Sequence, residues 1–228
     1  MHGLLLDSPA LDVFGQMAMD EALAKSKPAG FGLRFFRWAG AGATFGYAQR
    51  IREVERALPA GIGKSYTRRP TGGGLVPHVD DLTFSCVFPA GGVLRPTEIY
   101  RRLHSALLAG LRGAGLEARL CATSAPPDPA GPRGGQCFVQ PVALDILTEA
   151  GKILGGAIRR FGDTVLYQGS LQLPGVRARA AELEEAIARS LGGEWGLAWK
   201  RRGLEAAVRT EAEALAAKYR SEAWVRRM

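Results

Sequence analysis

Residues 142–173 read VALDILTEAGKILGGAIRRFGDTVLYQGSLQL, and this segment carries the strongest signal for the fold. It contains three short apolar runs, VALDIL, KILGGAI and TVLYQGSLQL, which are separated by TEAG and RRFGD. Short apolar runs joined by glycine-containing turns are typical of consecutive antiparallel strands. The segment therefore predicts a three-stranded antiparallel meander.

Three segments that precede the meander also predict strands. LRFFRWAG (33–40) and ATFGYAQR (43–50) are rich in aromatic residues and are punctuated by glycine. DLTFSCVFP (81–89) alternates as a strand does, with one face formed by Leu82, Phe84, Cys86 and Phe88 and the other by Thr83, Ser85 and Val87. Cys86 shares the apolar face of this strand, so we predict a core residue there and not a nucleophile.

Four segments carry apolar residues at helical spacing. The first two span roughly residues 11–26 and 97–112; the others are marked by Leu183, Ile187 and Leu191, and by Leu204, Val208, Ala212, Leu215 and Tyr219. Gly192 is the predicted cap of the third helix. His104, beside the apolar stripe of the second helix, is expected to be a satisfied or solvent-facing side chain. The pattern predicts one α+β domain over residues 1–228, with a mixed, largely antiparallel sheet flanked by helices.

Composition excludes several classes of protein. The chain has 228 residues, of which 46% are hydrophobic and 23% charged, as in ordinary globular enzymes. No apolar run approaches the roughly 20 residues of a membrane span, and the N-terminal MHGLLLDSPALD lacks the pattern of a signal peptide. Three irregularly spaced cysteines argue against a disulfide framework and favour a cytoplasmic protein. No cysteine or histidine cluster predicts a metal site.

The net charge of +8 is compatible with nucleic acid, an acidic protein partner or an anionic ligand. Apart from short arginine doublets and the run at 200–202, the basic residues are scattered along the chain. A scattered excess is typical of plain solvated surface. The charge alone therefore favours neither a nucleic-acid partner nor a membrane.

Two segments combine fixed positive charge with glycine. RRPTGGG (68–74), followed by His78, combines arginine with glycines that allow a tight turn. The guanidinium of either Arg68 or Arg69 can bind an anionic group through two N–H donors. GKILGG (151–156) places Lys152 before a strand interrupted by paired glycines, a sign of close approach by a ligand or another backbone. Cations and exposed N–H groups bind anions and polarised carbonyls. The alternatives are a plain hairpin turn for the first segment and a surface lysine for the second.

Cys137 follows the proline- and glycine-rich segment 122–136, which predicts a surface loop. A cysteine nucleophile needs access and nearby positive charge, which Lys152 can provide if the two segments fold together. The alternative is a small buried hydrophobic residue. Cys121 ends an apparent edge segment, LEARLC, and is expected to be structural.

Several motifs in the same order resemble the biotin/lipoate protein ligase superfamily, in its branch of lipoate-protein ligases and cysteine-dependent octanoyltransferases. The matching segments are QMAMDEAL, LRFFRW with TFGYAQ, RRPTGGGLVPH, GKILGGAIRR with VLYQGSL, and KYRSEAW. The resemblance implies an α+β catalytic domain with a tunnel for a medium-chain acyl group. It implies that Lys152 contacts the acyl carbonyl and that the remaining substrate-binding residues are Arg69, Gly72, Gly73, Gly74, His78, Gly155, Gly156 and Ala157.

The two branches of this family differ in their chemistry. The ligase branch activates free lipoate with ATP and Mg through a lipoyl-adenylate and needs no cysteine. One transferase subfamily uses the cysteine of a CFxxPSxYxL segment, which CFVQPVALDIL (137–147) resembles. The resemblance therefore implies that Cys137 and Lys152 are the catalytic residues of an octanoyltransferase that needs no cofactor. An ATP-dependent ligase and an octanoyl amidotransferase between lipoyl domains remain the alternatives.

The implied partners are octanoyl-acyl carrier protein as donor and lipoyl-domain proteins as acceptors, such as the glycine cleavage H protein or the E2 component of 2-oxoacid dehydrogenases. A different class, a non-catalytic basic module that binds acyl carriers or nucleic acid, predicts salt-sensitive binding without turnover. The grouping of TGGG, Lys152 and Cys137 favours the enzyme, with no nucleic-acid or membrane partner.

Overall fold

The computed structural model describes residues 2–90, 95–124 and 141–227, which form three sheets and their flanking helices. In chain order the strands are β1 (His2–Asp7), β2 (Ala10–Leu11), β3 (Gly32–Phe35), β4 (Arg37–Trp38), β5 (Gly42–Phe45), β6 (Tyr66–Arg68), β7 (Val76–His78), β8 (Asp81–Pro89), β9 (Arg119–Leu120), β10 (Ile146–Thr148), β11 (Gly151–Phe161), β12 (Thr164–Gln172) and β13 (Ala198–Gly203). The helices are α1 (Val13–Lys25), α2 (Ile51–Ala57), α3 (Pro96–Gly113), α4 (Ala180–Trp195), α5 (Ala206–Arg220) and α6 (Glu222–Val225), with a 3₁₀ turn at Val176–Arg179.

The main sheet has eight strands in the order β13-β1-β3-β8-β12-β11-β10-β9. The β13–β1 and β1–β3 pairs are parallel, and every other pair in this sheet is antiparallel. A second sheet, β6-β5-β7, carries the RRPTGGG segment between its outer strands. The predicted α+β fold with a mixed, largely antiparallel sheet is confirmed, and so is the meander, which is β10-β11-β12.

Helices cover both faces of the main sheet. On one face, α3 and α4 contribute apolar side chains such as Leu103 and Ile187 to a core shared with Phe84 and Tyr167 of the sheet. On the other face, α1 and α5 pack together around Val87 and other residues of the sheet. Almost every side of α1 is buried, because it lies between the sheet, α5 and the second sheet. The buried Cys86 lies in the first core, as its strand pattern predicts.

The edge strand β13 and the end of α4 are two of the places where the structure differs from the sequence expectations, which also lacked β1 and α2. The edge strand β13 reads AWKRRG and was not predicted, because its charged and largely exposed residues lack the alternation of a half-buried strand. Gly192 was the wrong cap for α4, which continues to Trp195 and ends at Gly196 in the left-handed region, with φ of 61°. Gly192 instead leaves space for Trp199, whose Nε1 would lie 2.9 Å from a Cβ at that position.

Candidate functional site

One pocket brings together five of the residues predicted to bind substrate. This central pocket lies between the second sheet, α1 and the glycine pair of β11. Its lining residues are Met17, Thr44, Arg69, Val76, His78, Thr83, Gly155, Gly156, Ala157, Gln168, Gly169 and Ser170. Two segments about 80 residues apart in sequence therefore meet at one cavity.

Gly72, Gly73 and Gly74 form the loop beside the central pocket and are not among its lining residues. Arg69 reaches across this loop and donates to the Gly72 carbonyl from Nε (3.0 Å) and Nη2 (2.5 Å). Gly73 has φ of 90°, and a Cβ on Gly46 would lie 1.8 Å from its carbonyl oxygen. The loop thus needs glycine for close packing of two backbones. Substrate contact by these three glycines stays a prediction.

The neighbouring Arg68 has a structural role. Its buried guanidinium donates to the carbonyl oxygens of Tyr47 (2.6 Å), Val225 (2.9 Å) and Arg227 (2.9 Å). The indole N–H of Trp224 donates to the Arg68 carbonyl at 2.8 Å. Arg68 therefore ties the C-terminal segment to the second sheet, and only Arg69 of the doublet lines the pocket.

A buried polar network holds the wall of the pocket in place. Gln168 donates from Nε2 to Asp20 at 2.7 Å and accepts from the Thr71 hydroxyl at 2.7 Å. Asp20 in turn forms an ion pair with Arg34, with 2.5 Å between Oδ1 and Nη2. Since Thr71 begins the TGGG loop, this network connects the loop to β12, α1 and β3 through fully buried groups.

His78 is held by a carboxylate at the edge of the pocket. Its Nδ1 lies 2.7 Å from Oδ2 of Asp81, and the Thr44 hydroxyl lies 2.9 Å from its Nε2. Burial alone would raise the pKa of Asp81, but His78 and the hydrogen bonds from Thr83 and Ser170 outweigh it and hold that pKa below its usual range. The ionised carboxylate fixes which ring nitrogen faces the pocket.

Lys152 packs against Gly155 and is not itself among the lining residues of the central pocket. A Cβ on Gly155 would lie 2.6 Å from Nζ of Lys152, so the ammonium group occupies the space that any other residue at 155 would fill. The Lys152 side chain is 3% exposed, and Nζ forms an ion pair with Oδ2 of Asp145 at 2.8 Å. The site therefore has a buried cation beside the glycine backbone, which suits stabilisation of a developing oxyanion.

His104 is a satisfied core histidine, as expected. Nδ1 donates to the Leu144 carbonyl at 2.8 Å, so the lone pair of Nε2 is left to accept from the Tyr167 hydroxyl at 3.0 Å. Burial, with a smaller contribution from the charge of Lys152, lowers the pKa of His104 to about 3. The imidazole is therefore neutral in the folded protein at neutral pH.

This neutral histidine predicts a pH dependence of stability. The unfolded chain binds a proton at His104 below pH 6.5, whereas the folded chain does so only near pH 3. The contribution to stability is thus complete above pH 6.5 and is lost on acidification, at about 1.4 kcal/mol per pH unit. Urea unfolding at pH 7 and pH 5 should show this slope in the wild type and a smaller one in His104→Gln. His2 is exposed, so His2→Gln serves as the control. An unchanged slope in His104→Gln would contradict the assignment of this pH dependence to His104.

The described cysteines have no catalytic environment. Cys86 is fully buried, and this burial raises the pKa of its thiol well above the ordinary value. Cys121 is buried and donates to the Thr123 carbonyl, which agrees with a structural role. Cys137 lies outside the described residues, and its role stays a prediction. Within residues 2–90, 95–124 and 141–227, no cluster of His, Cys, Asp or Glu is arranged to hold a metal ion, and no helix has the length and apolar character of a membrane span.

Sequence reasoning missed the polar groups that hold the site. Asp20 lies in an apolar helix and Asp145 in the apolar run VALDIL, and both side chains are fully buried. A charged residue inside an apolar run was the available signal, because such a residue needs a buried partner. The partners, Arg34 and Lys152, are not predictable from spacing, because each pair joins two different elements: Asp20 of α1 with Arg34 of β3, and Asp145 before β10 with Lys152 of β11.

Known proteins resemble this chain both in sequence and in structure. An octanoyltransferase LipM from Moorella thermoacetica is 33% identical over 189 residues, which cover 74% of this chain and 64% of that protein. The chain thus spans less than two thirds of that relative. The match to octanoyltransferase LipM from Kyrpidia tusciae is 29% identical and covers 91% of this chain and 92% of the relative.

Among solved structures, a lipoate-protein ligase A bound with ATP matches with a TM-score of 0.77 and 25% identity, covering 99% of each chain. Residues 12–190 match the family described as the lipoyl protein ligase A/B catalytic domain. This match includes the RRPTGGG loop, the meander and every lining residue of the central pocket. The chain belongs to the lipoyl protein ligase A/B catalytic domain family.

Proposed function

We propose that this chain is an acyltransferase of protein lipoylation, which moves an octanoyl group from octanoyl-acyl carrier protein to the acceptor lysine of a lipoyl domain in the cytoplasm. The observation that carries the proposal is the placement of Lys152 directly behind Gly155, which lines the central pocket together with Arg69 and His78. A buried cation beside glycine backbone suits an acyl carbonyl, and the apolar lining residues Met17, Val76 and Ala157 suit part of an aliphatic tail. The relatives named octanoyltransferase LipM support the same chemistry.

The proposed reaction has two steps. The Cys137 thiolate attacks the carbonyl carbon of the octanoyl thioester, the bond from this carbon to the carrier's sulfur breaks, and the carrier leaves as a thiolate that takes a proton from solvent. The neutral amine of the acceptor lysine then attacks the Cys137 thioester, forms the amide and returns the thiolate, while the amine proton passes to solvent. Lys152 stabilises the oxyanion in both steps. The donor thioester already stores the activation energy, so this route uses no ATP.

The proposed acceptors are lipoyl domains such as the glycine cleavage H protein or the E2 component of 2-oxoacid dehydrogenases. The chain carries a net charge of +8, which favours an acidic donor and acceptor. Complementary charge of this kind raises mainly the rate of encounter and is screened by salt. Transfer measured at low substrate concentration is therefore expected to slow as the salt concentration rises.

The test is a transfer assay with octanoyl-acyl carrier protein and a lipoyl domain in the absence of ATP. Wild type is expected to octanoylate the domain, and Cys137→Ser to lose at least about 100-fold of the rate because a hydroxyl is a weak nucleophile at its ordinary pKa. Cys121→Ser is the matched control and should keep most of the activity. Equal rates for wild type and Cys137→Ser would refute the thioester route.

The alternative is an ATP-dependent lipoate ligase, which the similarity to an ATP-bound lipoate-protein ligase A favours. This route passes through a lipoyl-adenylate, requires ATP and Mg, and leaves Cys137 without a role. Lipoate-dependent exchange of pyrophosphate with ATP that survives in Cys137→Ala would select this alternative.

A further inference from the structure

The carboxylate of Asp145 is surrounded by donors although it lies in an apolar run. Oδ2 accepts from Nζ of Lys152 at 2.8 Å and from the backbone N–H of Val142 at 2.8 Å. Oδ1 accepts from the hydroxyl of Tyr100 at 3.0 Å. The Asp145 side chain is 1% exposed and that of Lys152 is 3% exposed. Two charges are thus held together away from solvent, in a fixed geometry.

The backbone around Asp145 is also fixed from several sides. The preceding residue, Leu144, has φ of 74°, a conformation that a branched side chain adopts only when its surroundings impose it. Its N–H donates to the carbonyl of Cys121 at 2.8 Å, and its carbonyl accepts from Nδ1 of His104 at 2.8 Å. The N–H of Cys121 donates back to the carbonyl of Asp145 at 2.7 Å. The backbone conformation of Leu144 is compatible with the buried position of the Asp145 carboxylate beside β11.

Both side chains that donate to Asp145, those of Lys152 and Tyr100, contact the glycine pair that lines the central pocket. Nζ of Lys152 lies against Gly155, at 2.6 Å from where a Cβ would be. The Tyr100 hydroxyl accepts from the N–H of Gly156 at 3.3 Å while it donates to Asp145. Strand β10 pairs with β11 only as far as Leu154. The Tyr100 hydroxyl therefore binds the Gly156 N–H just beyond the last hydrogen-bonded pair of these two strands. Asp145 thus helps to fix the position of the Lys152 ammonium and, through Tyr100, of the Gly156 backbone in β11.

We propose that Asp145 is a positioning residue that holds the Lys152 ammonium against Gly155. The inference rests on the proposed acyl transfer, in which Lys152 stabilises the oxyanion. An ammonium that moves away from Gly155 would stabilise the oxyanion less well, because this stabilisation depends on a fixed position of the charge. A purely structural ion pair would instead change stability without a specific effect on turnover.

The test is a double-mutant cycle in the octanoyl transfer assay, with Asp145→Asn, Lys152→Met, the double variant and wild type. Asp145→Asn is expected to lower kcat about 100-fold, with KM for octanoyl-acyl carrier protein within about threefold of wild type. In the Lys152→Met background the same substitution should have no further effect on kcat. The control Glu149→Gln removes an exposed carboxylate from the adjacent turn and should leave kcat unchanged.

Failure of the inference is distinguishable from failure of the proposed function. If wild type transfers no octanoyl group, the proposed function fails and the role of Asp145 falls with it. If wild type is active, then an unchanged kcat in Asp145→Asn, or effects of the two substitutions that multiply in the double variant, would overturn the positioning role alone. If Asp145→Asn does not fold, Tyr100→Phe decides: a kcat severalfold lower at an unchanged melting temperature supports the role, and an unchanged kcat refutes it.

Discussion

An Asp20→Ala variant is expected to lose about 3–5 kcal/mol of unfolding free energy. The Asp20 carboxylate accepts from Nη2 of Arg34 at 2.5 Å, from the Ser85 hydroxyl at 2.7 Å and from Nε2 of Gln168 at 2.7 Å. The Arg34 side chain is 1% exposed, so its charge cannot turn to solvent when the carboxylate is removed. The loss comes mainly from the guanidinium that stays buried without a counter-ion. Urea unfolding monitored by circular dichroism measures it.

Asp163→Ala provides the matched control, because Asp163 is exposed in the turn between β11 and β12. Its unfolding free energy should stay within about 0.5 kcal/mol of wild type. The variant Asp20→Leu with Arg34→Met removes both charges and should recover part of the loss. A cost below about 1 kcal/mol for Asp20→Ala would show that the network contributes little to stability.

A Gly155→Ala variant is expected to lower octanoyl transfer about 100-fold while it changes the unfolding free energy by less than about 2 kcal/mol. The added Cβ would lie 2.5 Å from Cε and 2.6 Å from Nζ of Lys152. These atoms are the far end of the lysine side chain, so the ammonium can move aside without displacing backbone, although the shift loosens its ion pair with Asp145. The ammonium is then displaced from the wall where the acyl carbonyl is proposed to bind.

Gly193→Ala is the matched control, because a Cβ at this exposed position of α4 meets no atom within 4 Å. Transfer should be unchanged and the helix slightly stabilised. A Gly155→Ala variant with full transfer activity would mean that the position of Lys152 does not matter for catalysis. Transfer rates and urea unfolding curves for both variants separate the two effects.

The parts of the fold that could be predicted from sequence are those with one clear period. DLTFSCVFP and the meander were predictable because each strand alternates or ends at a glycine turn. The edge strand β13 was not, because its pairing to β1 is parallel and joins residues about 196 apart in sequence. Such pairing depends on the backbone of β1, and the charged residues of AWKRRG carry no pattern that records it.

For the site, the sequence was informative where glycine and charge are adjacent along the chain. RRPTGGG and GKILGG do meet at one pocket, and Arg69, His78 and Gly155 line it. The sequence did not distinguish Arg68 from Arg69, because the difference depends on carbonyl groups of the distant C-terminal segment. Nor did it place Lys152 beside Asp145, since that pair depends on the strained backbone at Leu144.

The central claim is that the pocket serves an acyl group carried on Cys137. The most direct measurement is the intact mass of the protein after incubation with octanoyl-acyl carrier protein and no ATP, followed by peptide mapping. The account predicts a gain of one octanoyl group, mapped to Cys137, sensitive to hydroxylamine, absent from Cys137→Ser and retained in Cys121→Ser. No gain in wild type, or the same gain in Cys137→Ser, would contradict it.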